Sequence, residues 1–589
     1  MLESVYSIPM LEFKDYIADW PDLPYRNFCD YITDFMGQWK DNNALFHRSG
    51  KQTEFTIWKY QRLAEECQRI GRGLLASGLK KGDRVGLWGD NQPEWIAVWL
   101  GTVIAGCIIV PIDYLSSEAE TLNIITLTKV KAFFYAGRKG VFADSLASQG
   151  VSLNALVCLD YEESEGRLSY SDFGRDAGTV ALPSREEIAS EDPASIVFSS
   201  GTTGFAKGIT LSHGAIIANV NGARLSLRAY PWDVFVNVLP LHHTYPTMCS
   251  FLAPLAFGSA ILIVDKLVGK VVIDDIRDAG GTFLIAVPLL YDKVMAALDQ
   301  GYQTIPGIVR GPLDILRKVA LDKANKGNYQ FGQRVFKFFR KKAGLASIRI
   351  MVAGGGPLNI KTANFFDSLG FNIVHGYGMS ENSPLVTVNT PWHKRNASVG
   401  LPIKDTYLRI LDTNEDGIGE ICVKSPSIMN SYYENPEATK EVFTEDGWLL
   451  TGDLGYIDKD GFLYISGRKK NLIVNSGGKN VHPEEVESHF NGSAVIGEIL
   501  VLGRKETDSN SEQVFAVVVP NAEALAERYP SQAADDAFVR DLVKKEIEQV
   551  NRTLVGYKKI CDFTLRREPF EKNAQQKIRR FLYKEYENL

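Results

Sequence analysis

The sequence predicts an α/β protein: a large N-terminal domain of two doubly wound sheets with a β-barrel-like subdomain, followed by a small α+β C-terminal domain. Three observations carry this expectation. From about residue 50 to 390, short apolar runs bounded by Gly, Pro or Asp alternate with amphipathic stretches, the texture of parallel sheets covered by helices. After about residue 395 the texture changes to short alternating segments separated by Asp-Gly turns, which is how antiparallel strands read. Beyond Lys470 a mixed tail follows, and 589 residues with 45% hydrophobic content exceed what one core holds. The expected division is 1–469 and 470–589.

In chain order, RVGLWG (84–89) is the first clear buried strand. The run WIAVWLGTVIAGCIIVPI (95–112) carries no charge over eighteen residues, the lower edge of membrane-spanning length. Asn91 and Pro93 supply a helix start, Gly106 a stop and CIIVPI a short strand, so the run divides into a helix and a strand of the sheet. AFFYAG (132–137), ALVCLD (155–160) and SIVF (195–198) are further strands. TLSHGAIIANVNGA (210–223) reads as a helix with His213 and Gly214 near its start, which places the loop before it between strand and helix. VFVNVLP, AILIVD, TFLIAVP and IRIMVAGGG continue the strand series to Gly356. TYLRILDTNEDGIGEICVKS and DGWLLTGDLGYIDKDGFLYISGR form the antiparallel, barrel-like piece. The tail offers EEVESHF, AVIGEILVLG, VFAVVVP and the charged helix DDAFVRDLVKKEIEQVNRTL.

A formal charge of −6 argues against a general nucleic-acid binder. The seven cysteines (Cys29, Cys67, Cys107, Cys158, Cys249, Cys422, Cys561) are scattered, with no C-x-x-C and no histidine cluster, so neither a disulfide framework nor a zinc site is expected. A reducing cytoplasm fits this usage. The first twenty residues carry early acids and no continuous apolar core, so no secretory signal is read.

The stretch FSSGTTGFAKG (198–208) packs three glycines, four hydroxyls and one lysine into eleven residues. Glycines let successive N–H groups turn inward, and hydroxyls add donors, so a polyphosphate is the natural guest. A Walker A loop is excluded by spacing, because Ala206 and Gly208 stand where Gly and Ser or Thr are required. The bland alternative is a flexible Gly/Ser/Thr surface loop. Four further stretches bear on the choice: LPLHHTYP (239–246), AGGGPL (353–358) with HGYGMSE (375–381), TGD (451–453) with SGRKKNLIVNSGGKNVHPEEVE (466–487), and NAQQKIRR (573–580). Singly, TGD is a common turn, a lone histidine beside Leu and Pro is usually a core residue, and a basic C-terminal run is usually solvated.

In this order and at these separations, the stretches resemble the adenylate-forming superfamily of acyl-CoA synthetases, nonribosomal adenylation domains and luciferases, over nearly the whole chain. Length, the basic segment discussed below and YYENPEAT (432–439) look most like long-chain fatty acyl-CoA synthetases. The resemblance implies a two-step reaction with ATP, Mg²⁺ and CoA: a carboxylate attacks the α-phosphate, pyrophosphate leaves, and a thiol then expels AMP. It implies that Ser199, Ser200, Gly201, Thr202, Thr203, Gly204 and Lys207 hold the β- and γ-phosphates, with Thr202 and Glu381 at the magnesium. Gly354, Gly355, Gly356 and Pro357, with His375, Gly376, Tyr377, Gly378, Met379 and Ser380, would surround the nucleotide, Tyr377 offering a flat face to adenine. Asp453 and Arg468 would take the ribose, and His243 would stand beside the carboxylate. Lys577 would bridge carboxylate and α-phosphate, and Lys470 would be the hinge about which a mobile C-terminal domain turns. Gly477, Gly478 and Lys479 would then face the thiol donor.

Three departures from the family pattern stand out: Gln575-Gln576 replaces the usual Ser-Gly before the lysine, Ala206 a proline and Ser380 a threonine. From 305 to 348, ten Lys and Arg face only Asp314 and Asp322 among interleaved apolar residues, a candidate peripheral contact with the cytoplasmic membrane face. Tyr245, Met248, Cys249 and Phe251 are candidates for an acyl tunnel. The alternatives to a fatty acyl-CoA ligase are transfer to acyl carrier protein and a non-catalytic nucleotide-binding scaffold; chain length and oligomeric state are not legible.

Overall fold

Each predicted apolar run becomes a strand buried along its length, because a parallel strand covered by helices on both faces has no wet side. In the computed structural model, which describes residues 21–50, 52–160, 168–198, 207–474, 479–505, 512–572 and 578–588, these strands assemble into two large sheets. The first has eight strands in the order Ser431–Tyr432, Gly208–Ser212, Pro193–Phe198, Ile108–Pro111, Arg84–Trp88, Ala132–Tyr135, Ala155–Cys158 and Leu168–Ser169. It is parallel from Pro193–Phe198 to its far edge. The second has nine, in the order Leu401–Pro402, Leu385–Val388, Asn372–Gly378, Ile350–Ala353, Phe283–Ala286, Val234–Asn237, Ala260–Ile263, Asn43–His47 and Thr56–Lys59. Its parallel centre is flanked by antiparallel edges.

The uncharged run resolves as expected. Pro93 opens a twelve-residue helix that ends at Ile104, Gly106 turns at φ +72°, and Ile108–Pro111 joins the first sheet. Every residue of the helix except Glu94 is buried, which explains why it is apolar all round without reaching membrane-spanning length. Trp99 packs edge-on to Phe28 and Phe251, with ring centroids 5.3 and 5.4 Å away. Among the described residues, no helix is long and apolar enough to cross a membrane.

One expectation is corrected. Residues 210–212 do not begin the helix expected over 210–223: Gly208–Ser212 is a buried strand antiparallel to Pro193–Phe198, and the helix starts only at His213, capped by the Ser212 hydroxyl. The donor-rich loop therefore joins two strands of a hairpin rather than strand to helix. Ile209, Thr210 and Leu211 favour the pleated, buried surface, and Gly208 packs where a Cβ would stand 3.1 Å from the Phe198 ring.

After the second sheet, Tyr407–Leu411, Gly419–Lys424, Leu449–Ile457 and Leu463–Arg468 form a four-stranded antiparallel sheet. Further on, Ile496–Lys505, Glu512–Pro520 and Asp562–Leu565 form a three-stranded sheet, and the helix Asp536–Asn551 buries Val539, Val543 and Ile547 in a core drawn from residue 473 onward. The architecture is the α/β class predicted, with a smaller α+β unit at the C-terminal end.

Candidate active site

The C-terminal ends of the second sheet's strands build the centre of the site. Ile350–Ala353 runs into Gly354, Gly355 and Gly356; Gly355 sits at φ +80°, and a Cβ on Gly354 would lie 2.8 Å from the Tyr245 ring. Gly354 thus packs its backbone directly on the Tyr245 ring, and Gly355 turns where a side chain would be strained. Tyr245 is held in place by its hydroxyl, which donates to the carbonyl of Val352 at 3.1 Å. His375, on the neighbouring strand Asn372–Gly378, places Nε2 2.9 Å from the Gly356 carbonyl. Burial keeps this imidazole neutral, so Nε2 carries the proton and donates, pinning the glycine turn.

Tyr377, two residues on, reaches the antiparallel sheet. Its hydroxyl donates to Asp453 Oδ2 at 2.7 Å, while Arg468 Nε lies 3.0 Å from Oδ1. Asp453 and Arg468 stand directly opposite each other in the register of Leu449–Ile457 and Leu463–Arg468, so the hairpin itself sets the pair. Asp453 is buried, and its backbone N–H donates to the Thr451 hydroxyl. Both carboxylate oxygens are thus oriented, the arrangement needed to accept from vicinal hydroxyls.

Glu381 follows in the short turn Ser380–Asn382. Tyr432 anchors one of its carboxylate oxygens at 2.9 Å, and the Glu381 carbonyl accepts from the Met429 N–H at 2.8 Å. The Lys207 ammonium lies 4.7 Å from the centroid of the same Tyr432 ring. A carboxylate, a phenol and an ammonium from three distant segments therefore meet at one edge. Oxygen donors of this kind fit magnesium, and the oriented carboxylate is the ligand such a hard cation prefers. Met379 N–H donates to the Pro384 carbonyl, and Gly378 is required because a Cβ would lie 2.2 Å from that oxygen.

His243 stands at the start of a short helix, with Thr244 bonded to the Ser380 hydroxyl at 3.0 Å, which ties the histidine segment to the Glu381 turn. Burial and the adjoining His242 ring push the His243 imidazole well below its ordinary range. His242 is itself buried, its Nε2 3.4 Å from Asp113 Oδ1, a contact too long for a strong hydrogen bond.

Lys470 is exposed in the turn Lys469–Asn471, between Lys469, paired with Glu420 at 2.6 Å, and Asn471, which donates to Glu484 at 2.5 Å. Lys479 is not brought to the nucleotide residues; its Nζ lies 3.6 Å from Glu415, at the tip of an antiparallel hairpin. Ser199, Ser200, Gly201, Thr202, Thr203, Gly204, Gly477, Gly478 and Lys577 lie outside the described residues. On either side of Lys577, Lys572 and Ile578 pair as an antiparallel bridge, and Arg580 is not fully solvated but ion-paired with the half-buried Glu487. Sequence reasoning missed Tyr432, Thr244 and Asp113. Tyr432 opens YYENPEAT, the one signal that pointed there.

The buried imidazoles carry a consequence for stability. His213 and His375 are both pushed down to about 4 by burial, whereas an unfolded imidazole titrates near ~6.5. As pH falls below that value the unfolded chain takes up protons that the folded chain refuses, so stability is full above pH ~6.5 and is lost on the way down to pH ~4. Each ring contributes a loss on the order of 3 kcal/mol at the acid end. Urea midpoints measured across this window should fall steadily with pH; a flat profile would contradict neutral buried rings.

A site joining a glycine-rich turn, an aspartate–arginine pair and a tyrosine-held glutamate defines a nucleotide-dependent enzyme of the adenylate-forming class. The AMP-binding enzyme family model matches residues 33–433, and the chain belongs to that family as an AMP-forming acid–CoA ligase using ATP, Mg²⁺ and CoA. It is similar to the peroxisomal long chain acyl-CoA synthetase 7 of Arabidopsis thaliana, 28% identical over 94% of this chain and 83% of the relative. Long chain acyl-CoA synthetase 1 of the same plant is 30% identical over 84% and 79%. Among solved structures, an anthranilate CoA ligase in complex with anthranoyl-AMP superposes with a TM-score of 0.76 at 22% identity, covering 96% of this chain and 98% of that one. ATP-bound MatB from Rhodopseudomonas palustris gives 0.75 at 24%, covering 95% and 99%.

Proposed function

We propose that the chain activates a medium- to long-chain fatty acid as its acyl adenylate and transfers the acyl group to the thiol of CoA. The observation that carries this reading is the convergence of Tyr377, Asp453 and Arg468 on one side and Glu381, Tyr432 and Lys207 on the other, around the backbone of Gly354–Gly356. The fatty substrate rests on the names of relatives that run along most of the chain at 28–30% identity. Asp453 and Arg468 bind the ribose. Gly354, Gly355, Gly356 and Pro357 give adenine a backbone wall, and Tyr377 gives it a ring face.

Lys207, with Ser199 to Gly204, holds the β- and γ-phosphates, and Thr202 and Glu381 hold magnesium, which supplies positive charge against the phosphate oxygens. His243 orients the carboxylate at the mouth of the acyl site. Lys577, from a C-terminal domain of residues 470–589, brings its ammonium between the two anions. Turning about Lys470 then withdraws it and presents Gly477, Gly478 and Lys479 to the thiol.

The test is a matrix of acids against acceptors with the wild-type protein and magnesium ATP, reading pyrophosphate release and thioester formation. Pyrophosphate should appear with fatty acids, and thioester when CoA is added. Thioester only with acyl carrier protein would move the second step to that acceptor. Absence of any AMP-linked product across the matrix would leave a nucleotide-binding scaffold.

A further inference from the structure

We propose that the outer face of the helical layer over the nine-stranded sheet docks on an anionic phospholipid surface. The helix Gly307–Ala324 turns Leu313, Leu316 and Ala320 inward to the core, alongside the helix Ile360–Ser368. A second, exposed face is apolar as well. Ile308, Pro312, Ile315 and Val319, spaced by four, three and four residues, form one stripe on the outside. Ile308 is 88% exposed and Ile315 65%. A solvated helix carries polar residues there, so this stripe lacks its partner.

A second exposed apolar point lies on a neighbouring helix of the same layer. Phe338, 80% exposed, lies in Lys337–Lys342; its neighbour Phe339 packs edge-on to Tyr302, whose hydroxyl donates to Asp314 of the long helix. Both helices therefore belong to one layer.

Charge selects the partner. Residues 305–348 hold ten Lys and Arg against two Asp, a net of 10 − 2 = +8 in a chain of −6 overall. Some of these cations are already used: Arg317 lies over the Tyr302 and Phe365 rings, Arg340 is buried, and Lys326 pairs with Asp322. Lys318, Lys337, Lys341 and Lys342 are exposed, and none forms an ion pair among the described residues. Side chains as exposed as Ile308 and Phe338 stand clear of their neighbours rather than lining a groove. Isolated apolar points ringed by lysines suit a fluid acyl boundary under anionic headgroups, whereas a protein partner needs pockets for its anchors.

Vesicle flotation of the full-length protein tests this without turnover, so its outcome is independent of the substrate proposed above. The protein should float with vesicles containing phosphatidylglycerol and stay behind with phosphatidylcholine alone, and added salt should release it. Lys337→Gln and Lys341→Gln should each weaken binding about fivefold. Ile308→Ser with Phe338→Ser should weaken it further, with the melting temperature unchanged. Failure of the wild type to float, equal flotation by the apolar variant, or self-association through this face in sedimentation would each overturn the proposal.

Discussion

Replacing Lys577 with alanine is expected to slow adenylate formation by about 10²–10³, or roughly 3–4 kcal/mol, the effect of removing one preorganised transition-state donor. The first half-reaction brings a carboxylate and a polyphosphate together, and their repulsion is worst at the α-phosphorus, where charge gathers as the new bond forms. Lys207 sits against the ring of Tyr432, whose hydroxyl holds Glu381, and is the residue proposed to serve the far phosphates. A second cation is needed nearer the carboxylate, and Lys577 is the residue proposed to bring it. Its neighbours carry the load of structure: Lys572 pairs with Glu498 at 2.6 Å and Arg580 with Glu487. Lys577→Ala should therefore leave the melting temperature in place. The measurement is each half-reaction alone: pyrophosphate exchange should collapse, while thioester formation from a supplied acyl adenylate should continue near the wild-type rate. Equal loss of both would remove Lys577 from the first step. The Gln575-Gln576 pair sharpens the test, because these residues favour positive φ less than the usual Ser-Gly.

The large sheets were legible because a strand buried on both faces has little choice but to be a continuous apolar run, and Arg84–Trp88, Ala132–Tyr135 and Phe283–Ala286 all read that way. The hairpin at Gly208–Ser212 was not, since a five-residue strand running straight into a capped helix offers no break in the apolar pattern. The site divides along the same line. Glycines betray themselves locally, so the turn at Gly354–Gly356 shows in three successive glycines, whereas Gly378 entered only through the resemblance and its close approach to Pro384 was not foreseen. The contact of Tyr377 with Asp453 spans 76 residues and that of Glu381 with Tyr432 spans 51. Such pairings are made by the packing of separate sheets, and no local pattern encodes them; only the order of motifs hinted that these segments share a site. Asp453 opposite Arg468 is intermediate, because the register of one hairpin determines it.

Asp453→Ala should raise the KM for ATP by one to two orders of magnitude, and the reason lies in what the carboxylate already does without nucleotide. One oxygen accepts from Tyr377 at 2.7 Å and the other faces Arg468 at 3.0 Å, so alanine removes the proposed ribose acceptor and leaves a phenol and a guanidinium unmatched. Hydrogen bonds to a charged group contribute about 1.5–3 kcal/mol each, which corresponds to roughly 10–150-fold in affinity for one lost contact. A general disturbance of the site could also raise KM, and the nucleotide itself separates the two causes. Wild type should discriminate against 2′-deoxy-ATP, because the aspartate then loses one of its hydroxyl donors. In Asp453→Ala that discrimination should vanish, ATP and 2′-deoxy-ATP binding alike, since the group that read the hydroxyl is gone. If the variant still prefers ATP by the wild-type factor, the ribose is read elsewhere, and the hydrogen bond from Tyr377 and the ion pair with Arg468 serve only to join the second sheet to the antiparallel one.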